Sequence, residues 1–181
     1  RVTDSQTMQV VEKSLVEFNS EIIEKLKNKD CKAEGLNVST NNVFIVEQEN
    51  KELGFVGRPQ SIIKEKIENI IKNKIIPIIS PMGKDSLDQK YNINADTAAS
   101  AVAKGIKARR LLLMTDVEGV YDQNKKVISE IKPEKAKNLI ETGVVQGGMI
   151  PKLLNSIEAA ENGVKGVVII DGRKIHSILY E

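Results

Sequence analysis

The sequence is poor in several residue types that define other classes of protein. Tryptophan is absent, aromatic residues make up 3% of the chain, and there is one cysteine, Cys31, and one histidine, His176. A single cysteine excludes an internal disulfide framework and fits a reducing compartment. We expect Cys31 to be a small core residue of a strand. A surface or helix-capping position is the default interpretation of the lone histidine.

Long apolar runs and a strong charge of one sign are also missing. No apolar run approaches the roughly 20 residues that cross a bilayer. The net charge of +2 neither favours nor excludes nucleic acid as a partner. No G-x-G-x-x-G turn joins a strand to a helix, which argues against a dinucleotide-dependent oxidoreductase. The length of 181 residues and the 40% hydrophobic content are those of an ordinary globular domain with a buried core.

Hydrophobic periodicity predicts helices that alternate with short apolar strands. The predicted helices cover about 4–29, 61–73, 94–108, 133–141 and 151–162. The predicted strands cover 31–36, 74–80, 110–115 and 164–170, with a short hairpin of 43–47 and 54–56. Such alternation predicts an α/β fold, a three-layer α-β-α sandwich with a mainly parallel open sheet.

Polar residues open the helix at 94–108, directly after an apolar strand and its loop. Asn94 is a good N-cap, because its side-chain oxygen can accept a backbone N–H that the helix leaves unpaired. Asp96 follows in the first turn, where a carboxylate interacts favourably with the helix dipole. Taken alone, this pattern is explained by capping.

A second helix start carries a lysine where the dipole disfavours one. Residues 147–152 read Gly-Gly-Met-Ile-Pro-Lys, and a bound phosphate would explain a cation at that place. In open parallel sheets, ligands bind beyond the carboxyl ends of the strands and near helix N-termini. The segment 81–92, the pair Thr115 and Asp116, and the segment 147–152 all fall at such places. Together they predict one phosphate-handling site.

Several motifs carry a resemblance to a known family. Residues 92–99 read Asn-Ile-Asn-Ala-Asp-Thr-Ala-Ala, and residues 112–120 read Leu-Leu-Met-Thr-Asp-Val-Glu-Gly-Val. With 147–152, they resemble the amino-acid kinase superfamily and, more narrowly, its N-acetylglutamate kinases. The motifs at 1–4, 54–57 and 170–173 fit the same family. The resemblance implies ATP-dependent phosphorylation of the γ-carboxylate of N-acetyl-L-glutamate, a step of arginine biosynthesis.

The resemblance also implies roles for individual residues. Asp96 and Lys152 would be catalytic: Lys152 would contact the ATP phosphates, and Asp96 would hold that lysine in place. The implied substrate-binding residues are Arg1, Asn92 and Asn94. The implied nucleotide-binding residues are Thr115, Asp116, Gly119, Gly148 and Met149. No side chain is expected to ligate a metal, because Mg²⁺ would be held mainly by the nucleotide phosphates.

The family pattern further implies how the protein is organised. Residues 1–93 would form the rest of a substrate-binding lobe, and residues 94–181 an ATP-binding lobe. We expect the chain to be a piece of a kinase about one and a half times as long. It would lack the family's N-terminal lysine and glycine loops, and therefore activity of its own. We also expect a cytoplasmic enzyme, or one of an organelle stroma, with neither nucleic acid nor membrane as a partner.

Regulation and assembly are implied by the end of the sequence. His176, shortly after Asp-Gly-Arg, resembles a residue beside the arginine pocket of arginine-inhibited family members. We expect L-arginine to inhibit the whole enzyme, and a homo-oligomer, either a dimer or, with arginine sensitivity, a hexamer. Two alternatives stay open: a related kinase acting on another acylated or carrier-bound amino acid, and a non-catalytic ligand-binding member of the family.

Overall fold

The computed structural model describes residues 2–179, and the chain divides into two compact units, 1–106 and 107–181. The N-terminal unit contains helices α1 (Ser5–Lys27), α2 (Lys64–Lys72) and α3 (Ala95–Gly105). Its strands are β1 (Ala33–Leu36), β2 (Phe44–Gln48), β3 (Gly57–Ile62), β4 (Ile76–Ile79), β5 (Met82–Lys84) and β6 (Lys90–Asn92). A single 3₁₀ turn, Lys51–Leu53, precedes β3.

Two sheets form the frame of the N-terminal unit. Strands β1 and β4 pair in parallel, with Leu36 opposite Ile79. The second sheet has the order β3-β2-β5-β6; β2 and β5 run parallel, whereas β2–β3 and β5–β6 are antiparallel. Helix α2 carries Ile67 and Ile70 into a core shared with Leu36 and Phe44. Burial of these apolar side chains is the main source of stability for the unit.

Helix α3, which carries the predicted site residue Asp96 and is capped by Asn94, packs on β3. Ala98 on this helix is buried in the same core as Tyr91 and Ile93. At its C-terminal end, a Cβ on Gly105 would lie 2.4 Å from the Cδ1 atom of Ile62. Glycine at this position therefore lets the helix approach the strand without displacing the Ile62 side chain.

The C-terminal unit contains β7 (Arg110–Thr115), α4 (Pro133–Glu141), α5 (Met149–Glu161), β8 (Gly166–Asp171) and a 3₁₀ turn at Ser177–Leu179. Strands β7 and β8 pair in parallel along their whole length, so that Thr115 lies opposite Asp171. One core cluster of this unit contains the buried side chains Val120, Ala136, Leu139, Val145, Leu153 and Ile157. In the described range 2–179, no helix has the length and apolar character needed to cross a membrane.

The structure confirms the α/β class and the parallel strand pairs, and it corrects three details. The second hairpin strand is Gly57–Ile62 rather than 54–56, because Pro59 obscures the strand pattern. Strands β5 and β6 lie in the segment 81–92, where no strand was predicted, since three residues are too few to show a period. Cys31 is partly exposed and precedes β1, in a turn where its N–H donates to Leu26 O.

Candidate functional site

Asn94 caps helix α3 as the sequence predicted. Its Oδ1 accepts hydrogen bonds from the backbone N–H of Thr97 at 3.1 Å and from the Thr97 hydroxyl at 3.3 Å. The backbone of Asn94 is extended, with φ −59° and ψ 131°, so the helix begins at the next residue. Asp96 lies in the first turn and is half-buried. The helix start therefore carries Asn94 at the N-cap and Asp96 two residues later in the first turn.

Asn92 is held where two strands meet. It pairs with Met82 across β5 and β6, and its backbone N–H donates to Phe55 O at 2.9 Å. The next residue, Ile93, donates its N–H to Pro81 O at 2.9 Å. The path of the backbone from β6 into α3 is thus fixed on both sides before Asn94 begins the cap.

The structure brings three sequence motifs of the N-terminal unit together. Residue 56, within the Gly-Phe-Val-Gly motif, forms a parallel bridge with Asn92, and Thr3 bridges Gly54. Phe55 donates its N–H to Thr3 O at 2.7 Å, and Thr3 is 2% exposed. Gly54 has φ +67°, and a Cβ there would lie 2.4 Å from Thr3 O, so only glycine fits. Arg1, the third predicted substrate residue, lies outside the described residues.

On the C-terminal unit, the predicted nucleotide-side residues begin where β7 ends. Thr115 is the last residue of β7, and its carbonyl accepts the N–H of Gly172 at 2.8 Å. The Thr115 hydroxyl donates to Asp116 Oδ1 at 3.4 Å, and Asp116 itself is exposed. Gly119 is buried in the turn that follows. These residues lie at the carboxyl end of a parallel strand, where α/β proteins bind ligands.

Sequence reasoning missed an ion pair beside this turn. Arg173 donates through Nε and Nη2 to the two carboxylate oxygens of Asp171, at 2.9 Å each. These bonds, with one from the Arg173 N–H, lower the pKa of Asp171 to about 2. Lys174 donates to Glu118 at 2.8 Å. The Asp-x-Arg spacing directly after a predicted strand is the signal from which the pair could have been found.

Helix α5 begins in an open glycine turn. Gly147 has φ +57°, a conformation that glycine adopts without strain, and Gly148 is the N-cap residue. A Cβ at either position would meet no atom within 4 Å, so the backbone is open to an approaching ligand. Helix N-termini of this kind suit phosphate groups.

Lys152 and Met149 occupy the first turn of the same helix. Helix α5 starts at Met149, two residues before the predicted start, since a proline is tolerated within the first turn. Lys152 is consequently the fourth helical residue, and its side chain is half-buried. Met149 packs against the core that contains Val120, the residue after Gly119. The two nucleotide-side segments of this unit thus share one hydrophobic cluster.

Two predictions remain: that no side chain ligates a metal, and that His176 has a regulatory role. Across residues 2–179, no group of three or more His, Cys, Asp or Glu side chains could hold a metal ion. His176 is exposed and has φ +60°, and its carbonyl accepts the N–H of Leu179 at 2.8 Å. It therefore begins the 3₁₀ turn at Ser177–Leu179.

Comparison with known proteins defines the family. The profile of the amino acid kinase family matches residues 1–171. The chain belongs to the amino acid kinase family. It is 54% identical over 181 residues to the acetylglutamate kinase of Pelagibacter ubique and 41% identical over 182 residues to that of Ruegeria pomeroyi. All of this chain is aligned in both comparisons, but it spans only 63% of the length of each relative.

Solved structures agree with that assignment. The protein smu.665 of Streptococcus mutans is 33% identical, with a TM-score of 0.89 over 94% of this chain and 70% of its own. Carbamate kinase of Giardia lamblia bound to AMP-PNP is 18% identical, with a TM-score of 0.65 over 84% of this chain and 61% of its own. The second likeness shows the shared fold alone.

Proposed function

We propose that the whole protein to which this chain belongs transfers the γ-phosphoryl group of ATP to the γ-carboxylate of N-acetyl-L-glutamate. The product is N-acetylglutamyl 5-phosphate, an intermediate of arginine biosynthesis. The observation that carries the proposal is the 54% identity to an acetylglutamate kinase over all 181 residues. The predicted catalytic residues Asp96 and Lys152 lie at helix starts within that span.

The proposed reaction requires the two substrates to be aligned and the charge of the transferred phosphoryl group to be stabilised, but it requires no general base. A side-chain carboxylate is already ionised at neutral pH and can act as the nucleophile directly. ATP supplies the phosphoryl group, and Mg²⁺, held mainly by the nucleotide, offsets its charge. The protein must bring two anions together and stabilise the charge spread over the transferred group. Lys152 supplies a positive charge for that purpose, and Asp96 acts as a positioning residue in the same reaction.

On the nucleotide side, the start of α5 is the proposed phosphate cradle. The open backbone at Gly147 and Gly148 lets phosphate oxygens approach the helix N-terminus. Gly148 and Met149 line this place, and the turn from Thr115 and Asp116 to Gly119 contributes the other nucleotide contacts. All of these proposed nucleotide contacts belong to the C-terminal unit, 107–181, which falls within the ATP-binding lobe predicted as 94–181.

On the substrate side, the proposed acetylglutamate contacts are Arg1, Asn92 and Asn94. A guanidinium binds a carboxylate through two parallel hydrogen bonds, which suits Arg1 to an anionic substrate. A side-chain amide can donate and accept at once, which suits Asn92 and Asn94 to the acetylamino group and a carboxylate. The bridge between Val56 and Asn92 supports the proposal by holding the backbone of Asn92 in a defined place.

Assembly, regulation and location complete the proposal. We propose a homo-oligomer, a dimer or, if L-arginine inhibits the enzyme, a hexamer, acting in the cytoplasm. Arginine inhibition would involve the segment after β8, with His176 at the start of its 3₁₀ turn.

The test is a substrate panel on the full-length enzyme. Phosphorylation of N-acetyl-L-glutamate is followed by trapping the acyl phosphate with hydroxylamine, beside N-acetyl-L-aspartate, free L-glutamate, carbamate and a carrier-bound amino acid. We expect N-acetyl-L-glutamate to have the highest kcat/KM. Preference for another acceptor would assign the protein to a related kinase, and binding of acetylglutamate without turnover would make it a non-catalytic member.

A further inference from the structure

We propose that Asn19 is a positioning residue for the acetylglutamate side of the site, an inference that rests on the proposed function. Asn19 lies in the middle of α1 and is 6% exposed. Its neighbours on the same helix face, Leu15, Ile22 and Leu26, are apolar. A leucine would continue that face, so the buried amide needs a polar explanation.

The amide of Asn19 is bonded at the end of β4. Its Nδ2 donates to Ile78 O at 2.8 Å and to the Ser80 hydroxyl at 3.3 Å. Both contacts cross about sixty residues of sequence and join helix α1 to the strand end. Ser80 is itself 5% exposed, so the pair lies beneath the surface. Buried polar groups bonded in this way fix one arrangement of the elements that they join.

The fold makes room for this amide at one glycine. A Cβ added to Gly35 would lie 2.4 Å from Asn19 Oδ1. Gly35 pairs with Ile78 across β1 and β4, so the amide sits over the strand pair beside its own acceptor. A glycine inside a strand ordinarily weakens the strand, and here it lets the helix side chain approach closely.

The bonded strand end leads directly to the substrate-side residues. Ser80 donates its N–H to Leu36 O at 2.9 Å, and the following residue, Pro81, accepts the N–H of Ile93 at 2.9 Å. Ile93 lies between Asn92 and Asn94. Asn19 therefore supports the backbone from which both proposed acetylglutamate contacts project. A small displacement of this backbone should weaken substrate binding, because it would move the side chains of Asn92 and Asn94 away from the substrate groups that they are proposed to bind.

The test compares three variants in the full-length enzyme. Asn19→Leu removes both hydrogen bonds at similar volume, Ser80→Ala removes one acceptor, and Gly35→Ala displaces the amide while leaving Asn19 in place. KM for acetylglutamate, KM for ATP, kcat and thermal stability are measured for each. The control is Leu139→Ala, which lowers stability from the core of the C-terminal unit, where Leu139 is 8% exposed.

We expect Asn19→Leu and Gly35→Ala to raise KM for acetylglutamate about tenfold, with KM for ATP changed less than about twofold. Ser80→Ala should show the same pattern with a smaller amplitude, and it keeps the test decisive if the other variants do not fold. Leu139→Ala should lower thermal stability without this split in KM. If the Asn19, Gly35 and Ser80 variants lose stability with unchanged KM for acetylglutamate, Asn19 is structural only. A wild-type enzyme that does not phosphorylate acetylglutamate would instead remove the proposed function itself.

Discussion

Asp171, the last residue of β8, holds the guanidinium of Arg173 two residues later. The Nε–Oδ1 and Nη2–Oδ2 distances are both 2.9 Å, and the Asp171 side chain is only 5% exposed. Because Asp171 lies opposite Thr115 in the β7–β8 pair, this ion pair fixes the turn beside the proposed nucleotide residues. A paired carboxylate at such a place makes stability depend on pH.

The first prediction concerns that pH dependence. The pKa of Asp171 is lowered to about 2 by the Arg173 side chain and backbone, from an ordinary value of 3.8. Between these two pKa values the folded state binds fewer protons than the unfolded state. The ion pair therefore stabilises the fold fully at pH values above 3.8, and this stabilisation is lost as the pH falls toward 2. Asp171→Asn in the full-length protein should lower the free energy of unfolding at pH 7, with a smaller difference at pH 3. Denaturant titrations at several pH values measure it, and a difference that stays constant with pH would contradict the account.

The second prediction separates the two roles of Asn94. Asn94→Asp keeps a good N-cap but places a negative charge beside an anionic substrate. We expect its thermal stability to stay near that of the wild type, while KM for acetylglutamate rises about tenfold or more. Asn94→Ala should instead cost about 1 kcal/mol of stability, because the bond to the Thr97 N–H is lost. Equal KM values for the wild type and Asn94→Asp would show that Asn94 is a cap alone.

The third prediction concerns Asp96. Asp96→Asn preserves the shape of the side chain and removes the negative charge that gives Asp96 its proposed positioning role. We expect kcat to fall roughly 10²-fold, since a preorganised electrostatic group is lost. The loss of the favourable helix-dipole interaction should cost only about 0.3–1 kcal/mol of stability. Asp88→Asn is the matched control, because Asp88 pairs with Lys84 on an exposed hairpin. A kcat within twofold of the wild type would exclude Asp96 from catalysis.

The fourth prediction concerns regulation. L-Arginine should inhibit the full-length enzyme, with coupling between the two sites of about 1–3 kcal/mol. His176→Ala should weaken inhibition while leaving uninhibited kcat and KM unchanged, because His176 lies after β8 and outside the proposed catalytic residues. Activity is measured against arginine concentration for both proteins. Unchanged activity of the wild type at millimolar arginine would leave His176 as the residue that begins a 3₁₀ turn.

The sequence predicted long and strongly periodic elements well. Helix α4 and strand β7 have the predicted bounds, because a proline begins the helix and a continuous apolar run forms the strand. The three-residue strands β5 and β6 were missed, since they are too short to show a period and β5 also pairs with β2, which is distant in the sequence. Local patterns carry no information about such pairing.

In the candidate site, too, the features that depend on neighbouring residues could be predicted, and those that depend on distant segments could not. The cap at Asn94 could be predicted, because it depends on residues within one turn. The contact of residues 3, 54–56 and 92 could not, since it arises from strand bridges across the N-terminal unit. The buried hydrogen bonds of Asn19 could not be predicted for a related reason. Its side chain lies on an apolar helix face, and its acceptors, Ile78 O and the Ser80 hydroxyl, are distant in the sequence.

The most direct test of the proposed kinase function is the turnover of Lys152→Ala. The full-length variant is compared with Lys135→Ala, which removes an exposed lysine from α4 in the same unit. Both proteins are first shown to be folded by thermal unfolding, and kcat is then measured with saturating ATP and acetylglutamate. The account predicts a loss of roughly 10²-fold or more for Lys152→Ala and a normal rate for Lys135→Ala. Near-normal turnover of acetylglutamate by a folded Lys152→Ala enzyme would contradict it.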